Sequence, residues 1–203
     1  NQNNATYKEI FPLLMQNKIW LGYKTGGMSF KVPEYYGERV SRFWIDESGQ
    51  KWRSMGNICW YTNLDHKKRH EDMILYKYYS PEIYPRYINY DAIEVSKTEH
   101  IPVDYDGIMG VPITFLDKYN PSQFEIIGIG NGGELGVECG VSANLSEEEC
   151  NALFKEDKSF RKGKLCYRDK KGKLEVLYHG YASKVIDVFD KNKSKNQIYI
   201  IEN

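Results

Sequence analysis

The stretch that decides the fold is YINYDAIEVSKTEHIPVDYDGIMGVPITFLDKYNPSQFEIIG, residues 87–128. Prolines and glycines divide it into pieces too short for long helices, at Pro102, Gly107, Gly110, Pro112, Pro121 and Gly128. Apolar runs lie between them, at residues 92–95, 108–109, 111–116 and 124–127. A surface loop would be polar and a linker would lack such runs. The pattern therefore predicts an ordered, non-repetitive segment that passes through a core.

The composition is typical of a globular chain that has one core of good size, or one domain with an appendage. The chain has 203 residues, 41% of them hydrophobic. No apolar run approaches the roughly 20 residues that a membrane-spanning helix needs, and residues 1–4 resemble neither a signal peptide nor a transit peptide. We therefore expect a cytoplasmic protein without a membrane partner. A first residue other than Met indicates a processed or excised piece.

Charge and cysteine content narrow the possible partners. The 28 basic and 28 acidic side chains cancel, so only local clusters can argue for a nucleic-acid partner. The four cysteines include no C-x-x-C pair, and we expect reduced thiols and no metal site.

Two helices are predicted. Residues 6–16 form the first, where Thr6 and Glu9 make a capping-box pattern and Pro12 requires a late start or a kink. Residues 146–157 form the second, with a capping box at Ser146 and Glu149.

Short strands outnumber these helices. We expect eight to ten, joined mostly as hairpins, including 42–46 with 51–53, a central strand at 56–64, and 164–168 with 173–178. The predicted fold class is therefore α+β and β-rich.

Positive charge is concentrated in two places. The run HKKRH at residues 66–70 is the first, and residues 155–173 are the second, with nine Lys or Arg against three Asp or Glu. The second cluster would be displayed on the predicted hairpin 164–178. Each is either a solvated surface or a phosphate-contacting patch. His66 and His70 lack the adjacent glutamate and the third ligand of a metalloprotease site.

A glycine-rich string, GIGNGG, follows the plausible strand 124–127. No helix begins within reach of a phosphate after it, so a hinge or mobile loop is favoured over a nucleotide-binding loop.

Three strings resemble the EcoRI type of adenine-specific DNA methyltransferase from restriction and modification systems. They are TYKEIFPL…NKIWLG at residues 6–22, CWYTNLD at 59–65, and YINYDAIEV…IPVDYDGIMGVPITFLDKYNPSQFEIIG at 87–128. They occur in the family's order, and the resemblance covers about residues 1–128. Such enzymes transfer a methyl group from S-adenosylmethionine to N6 of an adenine that has been rotated out of duplex DNA.

The resemblance also implies two motifs that this chain lacks, a glycine-bearing cofactor loop and an Asn-Pro-Pro-Phe motif. Asn120-Pro121-Ser122-Gln123-Phe124 has no second proline and corresponds to a separate downstream element, so we expect a structural role for it. The resemblance thus implies the C-terminal portion of a methyltransferase, inactive alone, with no catalytic residue. S-adenosylmethionine is expected to bind the intact enzyme but not this chain alone. The expected partners are double-stranded DNA and the missing N-terminal half of the protein.

On this basis residues 1–128 are expected to form the C-terminal part of the catalytic domain, with a remnant of a doubly wound sheet. Residues 129–203 are expected to form a hairpin-rich region that recognises the target DNA. Candidate DNA contacts are Lys67, Lys68 and Arg69 in the first region and Arg161, Lys162, Lys170 and Lys171 in the second. Gly26, Gly27 and Met28 either form an ordinary hairpin turn or approach the target base or the DNA backbone.

Two other functions remain open. One is a non-enzymatic DNA-binding or protein-interaction module, in which the six tyrosines of residues 76–90 and the basic hairpin form a groove. The other is an inactive methyltransferase relative that acts as a partner subunit.

Overall fold

A computed structural model describes residues 2–130, 145–158, 160, 165–176 and 183–187. The described part is α+β, as predicted, with more strands than helices. The α-helices are α1, Phe11–Met15, and α2, Glu147–Glu156. The strands are β1, Trp20–Leu21; β2, Gly26–Lys31; β3, Phe43–Ile45; β4, Lys51–Ile58; β5, Tyr61–Thr62; β6, Ile93–Glu94; β7, Met109–Val111; β8, Phe124–Ile129; β9, Cys166–Arg168; β10, Leu174–Val176; and β11, Ser183–Asp187. Short 3-10 helices occupy Gln2–Thr6, Lys67–His70, Thr98–His100 and Ile113–Asp117.

A mixed sheet in the order β6-β7-β11-β8 supports the main core. Strands β6 and β7 are parallel, and β11 runs antiparallel to both β7 and β8. All three residues of β7 are buried, as are four of the six in β8. Residues 87–128 therefore do pass through the core, as their apolar runs predicted. A Cβ at Gly110 would collide with the Tyr87 ring, so the glycine lets this tyrosine lie against β7.

Strands β2, β4 and β3 form a separate antiparallel sheet, which includes the predicted hairpin. The β3–β4 turn is held by Asp46, whose Oδ1 accepts hydrogen bonds from the backbone N–H groups of Ser48 and Gln50 at 3.0 Å. Gly49 takes a positive φ of 81° there. The prediction of one central strand over residues 56–64 was wrong, because β4 ends at Ile58 and the chain resumes as β5, which pairs with β1.

The first helix is shorter than predicted. Of the two outcomes that Pro12 required for the helix predicted over residues 6–16, a late start is the one observed, because α1 begins at Phe11 with Pro12 in its first turn. A proline fits there because it has no N–H to leave unpaired. The Thr6 hydroxyl donates to the Asn3 carbonyl instead of capping the helix. Phe11 and Leu14 are the buried residues of α1.

Helix α2 and the β9–β10 hairpin enclose a second small core of Leu153, Phe160, Cys166 and Leu174. The predicted capping box is present between Ser146 and Glu149. This unit joins the main body through the Ile88 N–H, which donates to the Cys166 carbonyl at 2.7 Å. The predicted hinge covers residues 128–136. Of these, residues 131–136 lie outside the described part of the chain.

Candidate nucleic-acid interface

Two segments that are distant in the sequence, the basic run 66–70 and the start of β2, both contact the carboxylate of Asp117. The Lys68 ammonium donates to Asp117 Oδ1 at 2.7 Å, and the Thr25 hydroxyl donates to the same oxygen. Asp117 ends a 3-10 helix in which Ile113, Phe115 and Leu116 are buried, so the carboxylate lies at the edge of the core. The pair Lys68–Asp117 therefore fastens the basic run 66–70 and the start of β2 to the core segment.

The three predicted basic contacts of this run have different surroundings. Lys67 is exposed, and Lys68 is partly buried by its pairing with Asp117. The Arg69 guanidinium lies 3.6 Å from the centroid of the Trp20 ring and donates to Asn17 Oδ1 at 3.4 Å. Burial lowers the pKa of Arg69. Lys67 is thus the member whose charge is most open to a phosphate.

The two histidines of the run bond to neighbouring groups of the chain. His66 Nε2 lies 2.9 Å from the Leu21 carbonyl oxygen, and His70 Nε2 lies 2.7 Å from Asp65 Oδ1. The hydrogen bond from His70 lowers the pKa of Asp65. Within the ranges that the structure describes, no group of three or more His, Cys, Asp or Glu side chains is placed to hold a metal ion.

Gly26, Gly27 and Met28 are the first residues of β2, so their interpretation as a hairpin turn was wrong. Gly26 has a φ of 95°, and the pairing of β2 with β4 shifts register between Gly26 and Met28. The left-handed backbone and the bulge explain the need for glycine. Met28 is buried and Gly27 is exposed. Of the three, Gly26 lines the cleft beside Asp117.

Asp117 lines two clefts. One of about 500 Å³ is lined by Thr25, Gly26, Ser96, Thr98, Thr114 and Lys118, among others. A second, of about 440 Å³, is lined by Lys68, Glu71, Asp72, Met73 and Tyr76, among others. The first lies beyond the carboxyl ends of the parallel strands β6 and β7, where open α/β sheets commonly bind ligands.

The second predicted cluster lies on the β9–β10 turn. Lys170 and Lys171 are exposed there, and the turn is closed by Asp169 Oδ1, which accepts the backbone N–H groups of Lys171 and Lys173 at 2.9 and 2.8 Å. Lys170 lines a third cleft of about 610 Å³. Arg161 and Lys162 lie outside the described residues. Ser96 lines both this cleft and the first cleft beside Asp117, so these two clefts adjoin each other.

Two other sequence predictions concern side chains near these clefts. Among the tyrosines of residues 76–90, Tyr76 and Tyr78 are exposed, whereas Tyr84 and Tyr87 are buried in the core. Asn120 is also buried, and its Nδ2 donates to Asp72 Oδ1 at 2.8 Å while its Oδ1 accepts from the Ser122 N–H. The string Asn120–Phe124 thus stabilises the turn before β8.

Sequence reasoning missed Asp117 as the meeting point. Its only local signal is a charged residue directly after the apolar run 111–116, which predicts the edge of a core but no partner. The two partners lie 49 and 92 residues away along the chain, at Lys68 and Thr25.

The three strings that resemble the EcoRI family all contribute buried residues to one core. A comparison with known families leads to the same family. The family model described as "Adenine-specific methyltransferase EcoRI" matches residues 1–182. The chain therefore belongs to the EcoRI family of adenine-specific methyltransferases, as the three strings indicated.

Individual relatives support the same assignment. The chain is 53% identical over 131 residues to Type II methyltransferase M.EcoRI of Escherichia coli, covering 63% of this chain and 40% of the relative. It is 39% identical over 132 residues to Type II methyltransferase M.MgeORF184P of Mycoplasma genitalium, covering 61% and 40%. The match to Type II methyltransferase M.MpnI of Mycoplasma pneumoniae is 38% over 129 residues, covering 60% and 40%. The matched segment thus spans about 40% of the length of these relatives. No solved structure matches the chain.

None of the helices in the described ranges is long and apolar enough to cross a membrane.

Proposed function

We propose that the chain is the C-terminal portion of an S-adenosylmethionine-dependent DNA adenine-N6 methyltransferase of a restriction and modification system. The observation that carries this proposal is the family match over residues 1–182. In it the chain contributes DNA contacts and part of the catalytic sheet, and it does not methylate DNA alone.

The division of labour within the enzyme follows from what the chain contains. The relatives extend well beyond the matched segment, and the sequence has neither a glycine-bearing cofactor loop nor an Asn-Pro-Pro-Phe motif. We assign both motifs, and the binding of the methyl donor, to the N-terminal half of the same protein. The parallel strands β6 and β7, with β11 between β7 and β8, are then the part of the doubly wound sheet that this chain supplies.

The proposal places the cofactor in the N-terminal half and assigns it no contact with Asp117, whose Oδ1 accepts hydrogen bonds from Lys68 and Thr25. The role of these three residues in the proposal is to hold the basic run 66–70 in a fixed position at the rim of the clefts.

The proposed DNA contacts are four lysines in two places. Lys67 and Lys68 lie in the 3-10 helix Lys67–His70, and Lys170 and Lys171 lie on the β9–β10 turn. Ammonium groups bind phosphate oxygens without reading bases, so these residues would fix the register of the protein on the duplex. Recognition of the target sequence is proposed for the region from residue 129 onwards, which includes Arg161 and Lys162.

A comparison of the full-length protein with this chain alone tests the proposal. Both are incubated with radiolabelled S-adenosylmethionine and duplex DNA, and the product bases are identified by mass spectrometry. We expect N6-methyladenine from the full-length protein and none from the chain. Absence of methyl transfer by a folded full-length protein would favour the non-enzymatic module or the inactive partner subunit, and transfer by the chain alone would contradict the division of labour.

A further inference from the structure

The antiparallel sheet β2-β4-β3 carries a row of side chains that spans all three strands. Lys31 pairs with Trp52, and Trp52 pairs with Trp44, so the three lie side by side on one face. The two indole rings stack with centroids 6.2 Å apart and planes at 4°, and Lys31 Nζ lies 5.6 Å from the Trp52 centroid. Alternation along the strands adds the paired Ser29 and Ser54 to the same face. We call these five residues the open face.

The opposite face of the sheet is partly covered by the chain itself, where Tyr36 stacks on Phe43 with centroids 6.3 Å apart. The Arg53 guanidinium donates to the Ser41 carbonyl at 2.6 Å, and the Lys51 ammonium donates to the Glu34 carbonyl at 2.7 Å. The basic groups of that face are therefore used within the protein. The basic group of the open face, Lys31, is exposed to solvent.

The open face offers the chemistry of a nucleic-acid surface. Lys31 and Ser29 are exposed, Trp44 is 41% exposed, and Ser54 is half-buried. Asp46, at the end of the Trp44 strand, is the negative charge nearest the row. Its oxygens accept from the Ser48 hydroxyl and, at 2.7 Å, from the Trp52 indole N–H. Residues 24–58 contain six Lys or Arg against four Asp or Glu; Lys51 and Arg53 lie on the opposite face, so Lys31 is the cation that the row itself offers to a polyanion.

Strand β2 connects this face to the clefts beside Asp117. Gly26, at the start of the strand, lines one cleft, and Lys31, at its end, lies in the row. Five residues of extended chain span roughly 17 Å, about the length of five base pairs of B-form DNA. One duplex can therefore contact both ends of β2.

We propose that the open face of the β2-β4-β3 sheet binds duplex DNA, with Lys31 on a phosphate and the Trp44 ring against the sugar or base edges. This inference rests on the proposed function, because it takes duplex DNA as the substrate. It adds a contact surface that contains none of the basic clusters predicted from the sequence.

Two variants of the full-length protein test it, Lys31→Ala and Trp44→Ala, by measuring duplex affinity at several salt concentrations. Lys31→Ala should reduce the slope of log K against log salt by about 1, because one phosphate contact is lost. Trp44→Ala should weaken binding about fivefold or more with a smaller change in slope. Lys8→Ala and Tyr7→Ala are matched controls, since both side chains are exposed and lie outside this sheet.

If Trp44→Ala unfolds the sheet, the variant Trp44→p-benzoylphenylalanine replaces it as the test. This side chain is a photo-crosslinker, and the partner to which it crosslinks is identified. Crosslinks to DNA support the proposal. Crosslinks only to other parts of the protein would mean that the enzyme covers this face itself and would overturn it, as would wild-type affinity and slope in both alanine variants. Methyl transfer by the wild-type protein, measured in parallel, separates failure of this inference from failure of the proposed function.

Discussion

Lys68 and Asp117 form an ion pair with 2.7 Å between Nζ and Oδ1, and the Thr25 hydroxyl donates to the same oxygen. Their side chains are 26% and 31% exposed, so solvent screens the pair less than it screens an exposed one. The ion pair and the hydrogen bond together attach the basic run 66–70 and the beginning of β2 to Asp117, at the edge of the main core.

The substitution Asp117→Asn should loosen this junction. The amide side chain is neutral and leaves Lys68 without its ion-pair partner, so we expect the free energy of unfolding to fall by about 1 kcal/mol. Urea denaturation measures the change. Asp91→Asn is the control, because Asp91 pairs with Arg86 at an exposed position and its loss should cost little. Equal stability of Asp117→Asn and wild type would show that the junction does not hold the run in place.

Arg69 should contribute mainly to stability. Its guanidinium lies over Trp20, so Arg69→Ala is expected to cost about 1–2 kcal/mol of unfolding free energy. The salt dependence of DNA binding should stay near the wild-type slope. Lys67→Ala should show the opposite behaviour, with little change in stability and a slope lower by about 1. A reversed pattern would mean that Arg69 leaves Trp20 to contact DNA.

The turn between β9 and β10 should supply phosphate contacts. The double variant Lys170→Ala, Lys171→Ala is expected to lower duplex affinity and to reduce the salt slope by about 2. The turn itself should persist, because Asp169 and Gly172 hold it. Fluorescence anisotropy at several salt concentrations measures both quantities. Unchanged binding throughout would remove this turn from the interface.

Asp46 should make the β3–β4 hairpin sensitive to acid. Hydrogen bonds from Ser48 and Trp52 lower its pKa from 3.8 to about 2. A carboxyl whose pKa is lowered by folding stabilises the folded state above its unfolded pKa, and this contribution is lost as the pH falls from about 4 towards 2. Asp46→Asn should therefore be less stable than wild type at pH 5, and the difference should shrink at about pH 2 to 3. Thermal unfolding monitored by tryptophan fluorescence measures it, with Glu47→Gln as the control.

Local patterns were sufficient for the elements whose determinants are close together in sequence. The capping box of Ser146 and Glu149 predicted α2, and the turn at residues 47–50 predicted the β3–β4 hairpin. The apolar runs between the glycines and prolines of residues 87–128 predicted a core segment, and the Tyr87 ring beside Gly110 shows how tightly it packs.

The errors arose where tertiary contacts or a single residue override the local pattern. The capping pattern of Thr6 and Glu9 does not start a helix, because α1 begins late, at Phe11, with Pro12 in its first turn. The end of β4 at Ile58 is set by pairing with β2, which the aromatic content of residues 56–64 does not reveal. The Asp117 junction and the Lys31–Trp52–Trp44 row depend on partners distant in sequence, so no local motif could have predicted either.

The central claim is that this part of the enzyme contacts the DNA, and hydrogen–deuterium exchange of the full-length protein tests it most directly. Exchange is measured with and without a saturating duplex under conditions where binding is independently verified. We predict slower exchange in the bound state at Lys67–His70, along β2 and β4, and at residues 169–173. Equal exchange in the free and bound states across residues 1–203, with protection confined to the rest of the protein, would contradict the account.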